Sequence, residues 1–449
     1  KLVQLNKVSP SMCLAKWLQT TTTLYNGFTH SCHHPSPHKI NVEDIKLNPR
    51  GLHNTPIKIY ARDEMLDGIQ TKECDYCWRI ENMSPDNLSD RTYKSATSWA
   101  WPHLQKVLDS GVGEDINPTY FEVAFENTCN FKCVYCSPEV SSRWMEEVKQ
   151  HGTYQLTNKK MHDVQWMTEQ KRIPIHYKEE NPYIDAFWKW WPDLYPELET
   201  FRITGGEPLL SKHTWKVLDY ILEHPRKDLT LAINTNMGVP PALVTKLIEY
   251  CNRLAPLIKE VQIFTSAEAT GEQCEYIRSG MVWSEFEENC NAFLTHVNPD
   301  VRLSFMVTAN MLGATTFGKF IEWIVALRTK FNTTEAINRV PMMISYLRWP
   351  DHLSMVNLPP ELKLRYSSEW ATITDSLKSG VPGRVYLEEI DQIQRLTNFM
   401  NSSSSNNVQT QDFYLFQSET DRRRGTDVCA TFPELADYYA QGKQLTGVA

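Results

Sequence analysis

Three cysteines set the chemical problem: Cys129-Asn-Phe-Lys-Cys133-Val-Tyr-Cys136 has the spacing C-x3-C-x2-C. Three thiolates on one tight loop can each take one iron of a cubane, leaving the fourth iron without a protein ligand. That open iron matters, because a cluster ligated by four cysteines only passes electrons, whereas a vacant position can bind and activate a ligand. The rival metal is zinc, but zinc ribbons pair two C-x2-C units into four ligands. No fourth cysteine stands near Cys136. Earlier in the chain Cys74 and Cys77 form a C-x2-C pair, with Cys13 and Cys32 apart. Clustered cysteines in a long chain suggest metal, and a C-x2-C pair with two distant ligands, or with His33 and His34 as substitutes, suits structural zinc. His30 and His38 extend a histidine-rich stretch that reads mostly as surface or supporting groups.

Other residues invite chemistry less directly. Gly205-Gly206-Glu207-Pro208 alone reads as a tight turn with a solvated acid, but it stands about 70 residues after the cysteines. Cys251, Cys274, Cys290 and Cys429 are isolated and read as buried free thiols. Cys274 is the first to test as a hydrogen-atom donor. Arg422-Arg423-Arg424 reads as a solvated face, or as an anchor for an acidic or phosphorylated substrate.

The elements around these residues follow an α/β pattern. From Thr119 onward short β-rich runs alternate with helix-length segments, as in a parallel architecture. Strands are expected at Tyr120–Glu126, Thr200–Thr204, Leu229–Ile233, Glu260–Phe264, Arg302–Val307 and Val340–Leu347. Helices are expected at Ser141–Gln150, Tyr183–Trp191, Pro241–Asn252, Trp283–Val297 and Phe317–Lys330. Each polar signature falls just after a strand, where a parallel barrel gathers its active-site loops. Before Thr119 the texture is Cys-, Pro-, Asn- and His-rich, with a connecting helix at Tyr93–Ser110. After Pro350 it turns helical, including an amphipathic Arg384–Met400 and a polar linker at Asn401–Asn407. The expected segments are 1–91, 92–118, 119–350 and 351–449.

The C-x3-C-x2-C loop after a first strand, with Tyr135 before its last cysteine, resembles the radical S-adenosylmethionine (SAM) superfamily. Gly205-Gly206-Glu207-Pro208 resembles that family's GGEP motif. Ser266-Ala-Glu268 through Ile277-Arg278 resembles its SxDxxxExxxxIR segment, with glutamate where aspartate is usual. Over Tyr120–Trp349 the resemblance implies a partial (β/α)6 barrel, and a [4Fe–4S] cluster on Cys129, Cys133 and Cys136 whose open iron is chelated by SAM. It implies SAM contacts by Tyr135, Gly205, Gly206, Asn234, Asn236 and Ser266. Glu207 would accept from the SAM amino group, Glu268 would contact the ribose, and the planar fork of Arg278 would take the carboxylate. Thr308-Ala-Asn310 would cradle adenine. The implied reaction is reductive cleavage of SAM to methionine and a 5′-deoxyadenosyl radical, which abstracts a substrate hydrogen.

Cys13, Gly27-Phe28, Cys32-His33-His34-Pro35, Cys74, Cys77 and Glu81 resemble the twitch domain, a shortened SPASM domain, which normally follows the barrel and here precedes it. That likeness implies an auxiliary [4Fe–4S] cluster on Cys13, Cys32, Cys74 and Cys77. It also implies a peptide or small-molecule substrate and an electron donor such as a flavodoxin or ferredoxin. A second class of reading is an iron–sulfur or zinc interaction protein without turnover.

Composition narrows the rest. With 449 residues and 41% apolar side chains the chain can bury more than one core. A net charge of −8 argues against a nucleic-acid backbone as partner. No apolar run reaches a membrane span, and no segment resembles a signal peptide. Clustered thiolate ligands need a reducing compartment, so the cytoplasm is expected. The 14 tryptophans are expected mainly in packing.

Overall fold

Tyr120–Ala124, Thr200–Thr204 and Thr230–Asn234 are five-residue runs rich in β-branched and aromatic side chains, which fit a pleated and largely buried surface. In the computed structural model, which describes residues 1–84, 86–332, 338–378 and 386–447, all three are strands. Among the described residues the strands are, in chain order, β1 (Gln19–Thr23), β2 (Phe28–His30), β3 (His38–Lys39), β4 (Tyr120–Ala124), β5 (Tyr154–Gln155), β6 (Lys160–Met161), β7 (Thr200–Thr204), β8 (Thr230–Asn234), β9 (Glu260–Ser266), β10 (Arg302–Ala309) and β11 (Met342–Tyr346).

The chain divides into two compact units. The first comprises residues 1–127, 171–233 and 257–260. In it β8, β7, β4 and β1 pair in parallel, and β2 and β3 continue antiparallel from β1. The cysteine-rich N-terminal segment therefore extends this sheet: Gln19 lies opposite Tyr120 and Thr23 opposite Ala124. Its threonines are largely buried, and Thr20 and Thr22 share their hydroxyls with Thr29 across the hairpin. Residues of the 1–91 segment and of the 119–350 segment thus share one sheet. The core is aromatic. Phe121 meets Phe187, Trp190 and Phe201 at ring-centroid distances of 5.9, 5.8 and 6.1 Å, within the favourable range for such pairs. Trp190 and Trp191 are fully buried here, as packing requires.

The single helix expected over Tyr93–Ser110 is broken. Asp90–Ser95 and Leu104–Asp109 are separate helices, with a 3-10 turn at Trp101–His103 between them. Pro102, which donates no amide, stands in the first turn of the 3-10 segment, where none is needed.

The second unit comprises residues 128–170, 234–256 and 261–449. Strands β9, β10 and β11 pair in parallel within it. Helices Pro241–Leu254, Trp283–His296 and Phe317–Phe331 connect or flank them. The C-terminal region is helical, with Pro360–Lys378, Leu387–Met400 and Asn407–Arg424. Arg384, the expected start of the second of these, lies outside the described residues. The polar Asn401–Asn407 connection ends in a capping box, in which Asn406 accepts from the Gln409 amide and Gln409 reaches back. A buried bidentate pair, Arg328 with Glu389, holds Leu387–Met400 to this unit. Among the described residues no helix is long and apolar enough to cross a membrane.

Candidate functional site

The loop between β4 and helix Ser142–His151 carries Cys129, Cys133 and Cys136, and its backbone is pinned at many points. Lys132 and Val134 donate their amides to the Ser279 and Ile277 carbonyls at 2.9 and 2.8 Å. The Cys136 amide donates to the Cys133 carbonyl, which also accepts from the Trp144 indole at 2.7 Å. Asn130 donates to the Gly238 carbonyl at 2.7 Å and accepts from Asn236 at 2.8 Å. The loop lies so close to Gly280 (φ +108°) that a Cβ there would stand 2.7 Å from the Asn130 carbonyl oxygen. Burial pushes the Cys133 and Cys136 thiols up, Cys136 to about 12, while Arg278 pulls Cys133 the other way. Such desolvated sulfurs resist ionising alone and give up their protons to a cationic iron centre.

Within the same unit, Tyr135, Glu268 and Arg278 form one buried group. Arg278 gives Nη2 and Nε to Glu268 Oε2 at 2.5 and 3.2 Å, and Tyr135 donates to the same carboxylate at 3.2 Å. Arg278 Nη1 faces Cys133 Sγ at 4.0 Å. Burial pushes the Glu268 carboxyl up against the pull of Arg278. Burial also works against the Arg278 charge, and Glu268, Tyr135, Cys133 and Cys274 together more than offset it. Asn310 accepts from the Leu312 and Gly313 amides, a turn that brings Gly313 against the Glu268 backbone. Asn234 reaches Met306 Sδ at 3.4 Å, and Ser266 ends β9.

In the first unit, Gly205 adopts φ +130°, and a Cβ there would lie 2.8 Å from the Glu126 carbonyl oxygen. Only glycine fits that approach, and the Gly206 amide donates to the same oxygen at 3.2 Å. Glu207 is buried and its Oε1 accepts from the Leu209 amide at 3.0 Å, capping the Pro208–Leu210 turn. Beside this loop lies a pocket of about 740 Å³, partly open to solvent, lined among others by Phe125, Glu126, Tyr177, Asp185 and His213. His213 Nδ1 accepts from the Trp188 indole at 3.1 Å, which leaves the proton on Nε2, 3.8 Å from Glu126. Burial, then Lys212 and Lys216, bring His213 down to about 4.

Cys13, Cys32, Cys74 and Cys77, spread over 65 residues of sequence, line one small pocket in the first unit. Their elements are fixed by an apolar cluster around Leu14, Trp17, Met65 and Trp78. A bidentate Arg91–Glu81 pair adds to it, and Arg91 Nη1 donates to the Met12 carbonyl at 2.8 Å. Lys16 reaches from the pocket wall to Glu73 at 2.5 Å. Burial pushes Cys13 up to about 12, reinforced by Cys32 and Cys74. His34 also lines the pocket and bonds Asp90 at 2.7 Å, whereas His38 bonds Thr55. Among the described residues no three His, Cys, Asp or Glu side chains are gathered as they would be around a single metal ion. Cys251, Cys274 and Cys290 are buried, and Cys429 is half-buried.

Several residues that shape the site carry no motif signal. Trp144, Glu147, Asn130 and Gly280 act on the cysteine loop only through contacts that folding creates. Gly280, two residues after Arg278, had a usable signal as a glycine next to a polar motif. Arg423 and Arg424, read as a solvated face, are instead buried; only Arg422 is exposed.

No protein-family model matches the chain. Part of it is similar to GTP 3′,8-cyclases. The identity is 23% over 120 residues with that of Campylobacter lari, covering 27% of this chain and 28% of the relative. It is 25% over 131 residues with that of Syntrophomonas wolfei (29% and 31%), and 24% over 141 residues with that of Aliarcobacter butzleri (31% and 33%). The chain thus spans about a third of the length of the curated relatives it matches. The crystal structure of Streptococcus suis SuiB bound to S-adenosylmethionine aligns at 14% identity and a TM-score of 0.34, covering 82% of this chain and 71% of that one. The similarity to the cyclases supports the resemblance of the motifs to the radical SAM superfamily.

Proposed function

We propose that this chain is a radical SAM enzyme whose Cys129, Cys133 and Cys136 hold a [4Fe–4S] cluster open at one iron. The observation that carries the reading is the buried Tyr135–Glu268–Arg278 group assembled against Cys133 Sγ. Arg278 has Nε and Nη2 committed to Glu268, so Nη1, facing the cysteine sulfur, is the edge left for a substrate carboxylate at the cluster. Glu268 and Tyr135 orient that guanidinium and keep it charged in a desolvated place. The bound cluster would supply the electron that splits SAM into methionine and a 5′-deoxyadenosyl radical. The substrate is read as a small molecule or a peptide. The similarity to GTP 3′,8-cyclases agrees with SAM chemistry, and the substrate of those enzymes is not transferred to this chain.

Cys13, Cys32, Cys74 and Cys77 are read as ligands of an auxiliary [4Fe–4S] cluster. Tetrahedral zinc, with Zn–S near 2.3 Å, draws four sulfurs to within about 4 Å of one another. A cubane spaces them more widely, and the iron and zinc content of the purified protein separates the two readings. Anaerobically reconstituted protein, given dithionite and SAM, should form 5′-deoxyadenosine. A variant with all three of Cys129, Cys133 and Cys136 changed to Ala should form none; unchanged yield in that variant would end the reading.

A further inference from the structure

Two of the three arginines in Arg422-Arg423-Arg424 turn inward: the side chains of Arg423 and Arg424 are 1% and 3% exposed, against 59% for Arg422. Arg424 stands 3.1 Å (Nε) and 3.4 Å (Nη2) from the two carboxylate oxygens of Glu147. Its guanidinium also lies 4.6 Å from the ring centroid of Trp144. Both partners sit on helix Ser142–His151, directly after the cysteine loop, and both reach back into that loop. Glu147 Oε2 takes Lys132 Nζ at 2.6 Å, and the Trp144 indole donates to the Cys133 carbonyl at 2.7 Å. Tyr154 donates to Glu147 Oε1 at 2.7 Å, and Arg423 stacks 3.8 Å over the Tyr154 ring.

A buried carboxylate is tolerated only when paired and hydrogen-bonded. Glu147 is 3% exposed, and its other cation, Lys132, is 28% exposed. Without Arg424, Glu147 must take up a proton or admit water, and either change weakens its hold on Lys132. The Trp144 ring, held also by His162 at 4.4 Å and Tyr154 at 5.7 Å, would lose the cation on its face, which loosens the aim of its indole at Cys133.

We propose that Arg424 is a positioning residue for the cysteine loop: through Glu147 and Trp144 it clamps Lys132 and the Cys133 carbonyl, making the C-terminal helix part of the cluster-holding apparatus. The role assigned to that apparatus rests on the proposed function, but the clamp itself does not. The first measurement is therefore amide hydrogen exchange on the full-length metal-free protein. In Arg424→Gln the amides of residues 130–136 should exchange about tenfold faster or more, with β10 unchanged, and Arg424→Lys should fall between. In reconstituted protein, Arg424→Gln should lose iron to a chelator several-fold faster than wild type. Should circular dichroism show Arg424→Gln unfolded, Trp144→Phe, which removes only the indole donor, must still speed exchange at residues 133–136. Wild-type exchange in the folded Arg424→Gln, or in Trp144→Phe where that variant decides, overturns the proposal. A wild-type chain that takes up no iron would remove the enzyme reading, leaving the exchange comparison to decide the clamp.

Discussion

At Arg278 the geometry of the fork matters more than its charge. A lysine at this position can bond Glu268 or a ligand carboxylate, whereas the guanidinium can do both from different edges. Arg278→Lys should therefore leave the fold intact and lower SAM affinity about 10- to 150-fold, the equivalent of about 1.5–3 kcal/mol for one charge-assisted bond. Titration of SAM into the reconstituted protein reads this directly, and unchanged affinity would show that the pocket is misplaced. His352 poses a different residue-scale question. It is fully buried against Phe416, and among the described residues neither ring nitrogen has a hydrogen-bond partner. Burial brings it down to about 3, with Asp351 opposing and Lys159 assisting. Between about pH 6.5 and 3 the unfolded chain thus holds a proton that the folded chain refuses. Stability falls as pH falls through that window, by about 1.4 kcal/mol per pH unit for each such group. His162, also brought to about 3 by burial and then Arg424, acts in the same direction. His352→Phe removes one of these groups and two unmet polar atoms. The variant should be at least as stable as wild type at pH 7 and clearly more stable at pH 4, as urea unfolding at both pH values will show.

Among the elements, helix Pro182–Leu194 presents one face to the aromatic core and depends on its first turn. Asn181 caps it, accepting from the Tyr183 and Ile184 amides at 2.9 and 3.3 Å, while its Nδ2 donates to the Leu24 carbonyl at 2.9 Å. One side chain thus ends the preceding loop, starts the helix and ties it to the turn after β1. Asn181→Ala should cost about 2 kcal/mol, roughly one for the cap and one for the lost buried bond. An unfolding free energy, from denaturant titration, lowered by less than a quarter of that would show the cap to be dispensable. The helix itself was expected over Tyr183–Trp191, but the bond to Leu24 was not legible, since it spans 157 residues.

For the molecule as a whole, the two cysteine groups belong to different units, Cys129, Cys133 and Cys136 to the second and the other four to the first. If each group holds a cubane, purified protein should carry about eight irons. Changing Cys74 and Cys77 together to Ala should reduce this to about four and leave uncoupled SAM cleavage measurable, while substrate conversion falls much further. Circular dichroism is the control, because losing a metal site can loosen the segment that it holds. Four irons and one zinc in the wild type would make the N-terminal site structural zinc.

Spacing and periodicity are local properties, and what they control was legible. Thr200–Thr204 is a strand at the expected residues, helix Trp283–His296 ends one residue from its expected end, and the polar motifs fall at strand ends because alternation stops where the loops begin. Glu268 and Arg278 were identifiable one by one as polar residues in a motif, yet nothing in their order reveals that burial forces them on each other. The pairing of Gln19–Thr23 with Tyr120–Ala124, the meeting of Cys13 with Cys77, and the turn of Arg424 toward Glu147, 277 residues away, were settled only in three dimensions. Such contacts arise from which apolar faces must be covered and which buried charges must find a partner, and both depend on neighbours that are far apart along the chain.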